Sequence, residues 1–407
     1  MKKILIAICV LGLLTACSSS DDTKEAPQPA SRTVLIYIIG ENSLNVVVPY
    51  DLKEIMEGSK SIGNNNLLVY VDAARSEVPW LARIKDGVVT DSVSIADMGI
   101  GTKDVYSCDP AVMEDVIKYA FQKYPAANDY GLVLWGHSTG WIIEDSIADN
   151  RRAYGVDNGH NGTSNEGPWI NIPTLAKVLS RTQHLKFIFA DCCNFQCLES
   201  AYELRNVTDY IIGSPAEIPG SGAPYYSVVP AMFESTTFYS SIVERYFEQT
   251  ISDMKVPLSV IKTSAMADVA SATRSVLQTV KANIGDGYAD VTGLIHYYTQ
   301  GPYNTYKPET NIFFDAGDFI RTYAPEAYPN WKQALDKAVI MKRMATMWKT
   351  DKPWDIHYSD FEMTEERYSG VSMFVPREPS GFNYSHYNTD IQKLAWYYAA
   401  GLKDIGW

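Results

Sequence analysis

Two residues of this chain pair the chemistry of a nucleophile with that of its base, and each stands where a strand is expected to stop. His137 follows the apolar run Gly131–Trp135 after one glycine, and Cys193 follows Leu185–Ala190 after Asp191 and Cys192. Short runs rich in aromatic and branched side chains predict buried strands. In open α/β sheets, ligands and chemistry gather at the carboxyl ends of such strands. A cysteine attacks as its thiolate, and a nearby imidazole can activate it and later protonate the leaving amine. Cys192 should face the opposite side of the strand and pack in the core, as should Cys197 one turn into the next helix.

Two other chemistries compete for the same residues. Gly136-His137-Ser138-Thr139-Gly140 matches G-x-S-x-G, the strand-to-helix turn that presents the serine of α/β-hydrolases, with His296, His357 and His386 available later in the chain. That reading requires a small-residue helix immediately afterwards, whereas Trp141-Ile142-Ile143 is bulky, and it leaves Asp191-Cys192-Cys193 unused. Zinc bound by Cys192, Cys193, Cys197 and a histidine fits poorly, because adjacent cysteines depart from the usual C-x2–4-C spacing.

The elements that must position the pair alternate between strand and helix. Thr33–Gly40, Asn66–Asp72, Gly131–Trp135, Leu185–Ala190 and Tyr210–Gly213 read as buried strands. Helices are expected over Asn42–Gly58, Asp109–Lys123, Asn171–Gln183 and Cys197–Leu204, and Trp80–Met98 reads as a hairpin. The pattern predicts a mostly parallel sheet flanked by helices. Trp141–Gly167, with Arg151-Arg152 and an Asn/Gly-rich run, reads as a long flexible surface loop. Beyond Tyr225, helices are expected at Thr236–Ser252, Ala265–Ala282, Asp315–Tyr323, Trp331–Trp348 and Thr389–Lys403, with strands at Leu258–Ile261 and Tyr368–Pro376.

The ends of the chain bear on location. Lys2 and Lys3 precede an apolar stretch, Ile4–Leu14, too short for a stable membrane span. Leu14-Thr15-Ala16-Cys17 resembles a bacterial lipobox, which would lipidate Cys17 and anchor the protein to the outer membrane. Asp21 and Asp22 resemble the surface-export signals of some Gram-negative lipoproteins. The expected organisation is a signal peptide to residue 17, a tether over 18–31, a catalytic domain over 32–255 and an α+β region over 256–407 packed on it. The formal charge is −13, which removal of Lys2 and Lys3 makes more negative, so nucleic acid is excluded as a partner.

Strand plus His137, then strand plus Asp191-x-Cys193, resembles the clostripain family of cysteine peptidases in the caspase-like clan. Caspases place their histidine at a similar distance, about 50 residues upstream of the cysteine. Glu199-x-Ala201-Tyr202-Glu203-Leu204, Asp209-Tyr210, Pro219-Gly220-x-Gly222-x-Pro224-Tyr225, Asp315-x-x-Asp318-Phe319 and Tyr368-Ser369-Gly370 resemble the same family. The resemblance implies a caspase-like α/β sandwich and a monomeric endopeptidase acting on peptides or proteins through His137 and Cys193. It implies oxyanion donors at the backbone of Ser138 and Cys193, and cleavage after Arg or Lys read by Asp191. Ser221 stands where a second acid usually follows Pro-Gly, and Glu217 is the substitute at hand. Processing between the histidine and the cysteine is implied too, with Arg151 and Arg152 as the sites. The chemistry needs no cofactor. Calcium is admitted as a structural or activating ion, although Asp157-x-Gly159-x-Asn161-Gly162 lacks the closing Glu of a calcium loop. Ser138 and Ser221 also leave room for an inactive binding lipoprotein.

Overall fold

The computed structural model describes residues 29–74, 78–101, 103–143, 153–159, 162–249, 255–297, 311–345 and 361–407. Cys17, the leader, most of the tether, and Arg151 and Arg152 lie outside the described residues.

Five parallel strands form the centre of a nine-stranded sheet. They are β1 (Ala30–Gly40), β2 (Asn66–Ala73), β5 (Ala126–Trp135), β6 (Leu185–Asp191) and β7 (Thr208–Gly213), paired in the order β2-β1-β5-β6-β7. The hairpin β3 (Trp80–Lys85) and β4 (Val88–Ser94) extends one side antiparallel. On the other side β8 (Leu258–Lys262) and β10 (Val339–Arg343) are antiparallel as well. The central sheet therefore runs past residue 255 and takes its last two strands from the C-terminal region. A separate small ribbon pairs β9 (Phe313–Asp315) with β11 (Ser372–Phe374).

Strand β1 shows why the sheet is covered twice. Leu35, Tyr37 and Ile39 enter one core, and Val34, Ile36 and Ile38 enter the other. Alternating side chains that are apolar on both faces can only be satisfied by a layer on each side. One layer holds α1 (Val48–Gly58), α5 (Tyr225–Met232) and α6 (Phe238–Gln249). The other holds α2 (Pro110–Lys123), α3 (Ile172–Leu179), α4 (Leu198–Leu204) and α7 (Met266–Ile284), joined by α8 (Ala316–Tyr323) and α9 (Tyr328–Ala338). This is the caspase-like α/β sandwich.

The structure departs from the sequence expectation in four places. Asn42–Gly58 is not one helix: a 3-10 turn over Ser43–Val46 precedes α1, and the Asn42 carboxamide oxygen accepts from the Leu44 N–H at 2.8 Å. Trp331–Trp348 does not stay helical, because α9 ends at Ala338 and Val339–Arg343 pairs with β8. The open edge of β8 offers ladder hydrogen bonds, and pairing to it outweighs the helical period. Only Ser372–Phe374 of the strand expected over Tyr368–Pro376 pairs.

The closing helix is also broken. It splits into α10 (Tyr387–Asp390) and α11 (Ala395–Ala399) around an extended Leu394, and ends at the left-handed Gly401. The break lets Ile391, Leu394, Trp396 and Leu402 all reach the core. It also lets a Glu203 carboxylate oxygen accept from the Trp396 N–H at 3.1 Å.

Candidate active site

The register of β5 and β6 brings the two chemical residues together. Trp135 pairs with Asp191, so His137 and Cys193, each two residues further on, leave adjacent strands at the same level. Both are half-buried and line one cleft of about 230 Å³. Ser43, Asp191, Glu217 and Ile218 line it too. Ser221 is exposed and is not among the lining residues. Cys192 is buried in the core below, as is Cys197. All four described cysteines are free thiols.

Each side chain is held by a different segment. The Ser43 hydroxyl lies 2.9 Å from His137 Nε2, a contact made possible by the tight turn after β1. The Trp169 ring lies tilted 6.3 Å from the imidazole, centre to centre. On the other side the Ile218 N–H donates to Cys193 Sγ at 3.4 Å. Asn194 next to the thiol is left-handed, at φ 54, and its N–H donates to the Ala216 carbonyl at 3.0 Å. The chain thereby turns off β6 just after the cysteine and presents it at the sheet edge.

The segment following His137 is built rather than loose, which corrects the flexible-loop expectation for its described part. Trp141, Ile142, Ala153, Tyr154, Val156 and Asp157 are buried. Tyr154 forms bridges to both Ser138 and Ile170. The Gly155 N–H donates to the His137 carbonyl at 2.8 Å, and the Thr139 N–H to the Ala153 carbonyl at 3.0 Å. These two bonds bracket Ser138, whose own N–H takes no part in that bridge. The Ser138 hydroxyl turns away and donates to the Ala153 carbonyl at 2.7 Å. No helix occurs between Gly136 and Ile143. The serine-hydrolase alternative therefore loses both its elbow helix and its exposed hydroxyl.

Asp191 forms the cleft's acidic wall. It is 3% exposed, and both its oxygens accept from the Ala223 N–H at 3.1 Å. The Tyr225 hydroxyl donates to it at 2.7 Å and that of Tyr246 at 3.4 Å. Burial pushes its carboxyl up to about 6, against the pull of those donors. A side chain at Gly222, which is left-handed at φ 58, would meet Asp191 Oδ2 at 2.7 Å, so only glycine lets the loop close over the acid. Sequence reasoning missed a second acid, Asp51 on α1. It is buried, accepts from the Trp135 indole N–H at 2.7 Å, and is pushed up to about 8 by burial and then by Asp191. Its only sequence signal was a polar residue on the inner face of an amphipathic helix.

Comparison with known proteins agrees with this geometry. The profile of the clostripain family matches residues 36–406. The chain belongs to the clostripain family. It is a cysteine peptidase, and its substrates are peptides or proteins. Among solved structures it resembles a secreted cysteine protease from Bacteroides thetaiotaomicron in complex with an irreversible peptide inhibitor. The two are 32% identical over 92% of this chain and 100% of that one, with a TM-score of 0.70. An inactive zymogen from Parabacteroides distasonis is 29% identical over 92% and 99%, with a TM-score of 0.71. A Bacteroides fragilis cysteine protease is 28% identical over 59% and 96%, with a TM-score of 0.50. A comparison with curated protein sequences finds no match. Several of these relatives are described as secreted, and no helix among the described residues is long and apolar enough to cross a membrane. An extracellular or envelope location fits both observations.

Proposed function

We propose that this clostripain-family peptidase cleaves after Arg or Lys, with Cys193 as nucleophile and His137 as its base. The observation that carries the reading is one cleft lined by His137, Cys193 and Asp191. Cys193 loses its proton to the imidazole, attacks the carbonyl carbon, and the amine leaves with a proton returned by His137. Ser43 orients the imidazole through Nε2. The N–H groups of Ser138 and Cys193 are the assigned oxyanion donors, and for Ser138 the bridge geometry supports that role. Asp191 sits across the cleft from the reacting pair and draws a guanidinium or ammonium, with Glu217 at the rim. Asp51 carries its proton at neutral pH and ionises only when a cation enters beside it. Ser221, pointing to solvent, adds nothing to the pocket.

The relative from Parabacteroides distasonis was captured as an inactive zymogen, which supports a precursor here as well. Arg151 and Arg152 stand between the two catalytic residues, on the segment that continues from buried Ile143 and returns at buried Ala153. Cleavage after either would free the ends of a segment tied to His137. Purified parent and Cys193→Ala, each given a peptide library, test both points. The parent should cut after Arg and Lys and convert to two chains whose new N-terminus follows Arg151 or Arg152. Even cutting after neutral residues would overturn the basic pocket. A nick that also forms in Cys193→Ala without added protease would overturn self-processing.

The lipobox-like Leu14-Thr15-Ala16-Cys17 supports a monomer tethered to the outer membrane by lipid at Cys17. Metabolic fatty-acid labelling should then be lost in Cys17→Ser, and labelling that persists in this variant would refute the anchor.

A further inference from the structure

Beside the active cleft lies a second cluster that the peptidase chemistry does not use. Glu41 follows β1, Asp72 closes β2, and Asp157 lies on the return segment between His137 and α3. Their carboxylate oxygens lie within 4.8 Å of one another, and all three residues are buried. The donors around them are few. The Ser107 N–H and the Gly159 N–H donate to Asp157, the Ser107 hydroxyl to Asp72, and the Gly162 N–H to Glu41 Oε1. Glu41 Oε2 is buried with no hydrogen-bond partner, and Glu41 is 1% exposed. No lysine or arginine among the described residues pairs with any of the three.

Three desolvated carboxylates cannot stand side by side as anions without compensation. One compensation is protonation. Burial and then Asp104 push Glu41 up to about 8, and burial and then Asp157 push Asp72 well above its usual range. The other compensation is a cation. We infer that Glu41, Asp72 and Asp157 form a binding site for a hard divalent cation of calcium's size, with the unpartnered Glu41 oxygen as a ligand. All-oxygen donors select this class over softer metals. Oxygens up to 4.8 Å apart can all touch one ion at about 2.4 Å, the calcium distance, whereas magnesium demands about 2.1 Å and a strict octahedron. The sequence held only the Asp157 part of the site. Glu41 and Asp72 come from strands more than eighty residues away in the chain, so no linear calcium motif exists to be found.

The position gives the ion work to do. Asn42 and Ser43 follow Glu41 directly, and Ser43 contacts the His137 ring. Val156 and Gly155 precede Asp157, and Gly155 holds the His137 carbonyl. The Asn158 N–H donates to the Glu41 carbonyl at 3.0 Å. An ion here clamps the two segments that flank the imidazole.

The inference does not rest on the peptidase reading, and its test uses Cys193→Ala protein stripped with EDTA and titrated with calcium by calorimetry and thermal melting. Saturable binding should appear, with Tm raised by about 4 °C at a hundredfold excess over Kd. Glu41→Gln should lose both the heat and the shift, yet melt no lower than the parent in EDTA, because the substitution removes an uncompensated buried charge. Magnesium should raise Tm less. A folded protein showing neither heat nor shift at about 10 mM calcium would overturn the site. So would a shift retained in Glu41→Gln, or one of equal size with magnesium. A Glu41→Gln protein that melts well below the parent in EDTA would also overturn it, by making Glu41 a protonated structural acid.

Discussion

Cys193→Ala should lower kcat/KM for peptide cleavage by about 10^4-fold or more, and His137→Ala by about 10^2- to 10^4-fold. The larger loss follows from removing the only atom that bonds to the substrate. The smaller range reflects what a positioned base contributes to thiolate formation and to protonation of the leaving amine. Both losses should fall on kcat while substrate still binds, since Asp191 and the cleft wall remain. The double variant should be no worse than Cys193→Ala, because the imidazole has no task without the thiol. Two controls separate this from other chemistry. Ser138→Ala keeps its backbone N–H and gives up only the bond from its hydroxyl to the Ala153 carbonyl, so it should retain most of the activity and lose about 1 kcal/mol of stability. Cys192→Ala, buried in the core, should lower Tm more than it lowers kcat. Loss of cleavage in Ser138→Ala with Cys193→Ala still active would transfer the reaction to the serine.

What the sequence made legible was whatever repeats locally. Buried parallel strands are continuous apolar runs, so all five central strands were readable, and with them the placement of His137 and Cys193 at two strand ends. The neighbour relation of β5 and β6 followed from the short crossover between them. What was hidden depends on contacts across the fold. Ser43 reaches His137 only because the turn after β1 tightens, and a serine after an asparagine signals no more than a cap. Asp51 and Glu41 look like ordinary acids on a helix and a loop. Their burial beside Asp191 and Asp157 is set by which strands become neighbours. Val339–Arg343 is a strand because β8 leaves an open edge, and nothing within the five residues says so. Trp141–Gly167 looked mobile from its glycines and asparagines, yet Tyr154 and Asp157 lock its described return segment to the strand ends.

Asp191→Asn should lower the preference for Arg over a neutral residue before the scissile bond by roughly 10- to 150-fold, the equivalent of ~1.5–3 kcal/mol for one charge-assisted contact. The carboxylate is already well used, accepting from the Ala223 N–H and from Tyr225. Asparagine turns one acceptor oxygen into a donor facing those same donors, so Tm should fall as well. A purely structural role would lower Tm and scale all substrates alike; a charge-reading role changes the Arg-to-neutral ratio. Acidity gives a second readout that needs no substitution. Because burial raises the Asp191 carboxyl to about 6, it is mostly ionised at pH 7.5 and mostly neutral at pH 5. The Arg-to-neutral ratio of kcat/KM should therefore fall as pH drops through about 6. Titration of His137 and Cys193 acts on both substrates and cancels in that ratio. In Asp191→Asn the ratio should be low and nearly flat with pH. A ratio unchanged by the substitution, or a pH step that survives it, would make Asp191 an anchor for the Gly222–Tyr225 loop and move the selection of basic residues to Glu217 or Asp51.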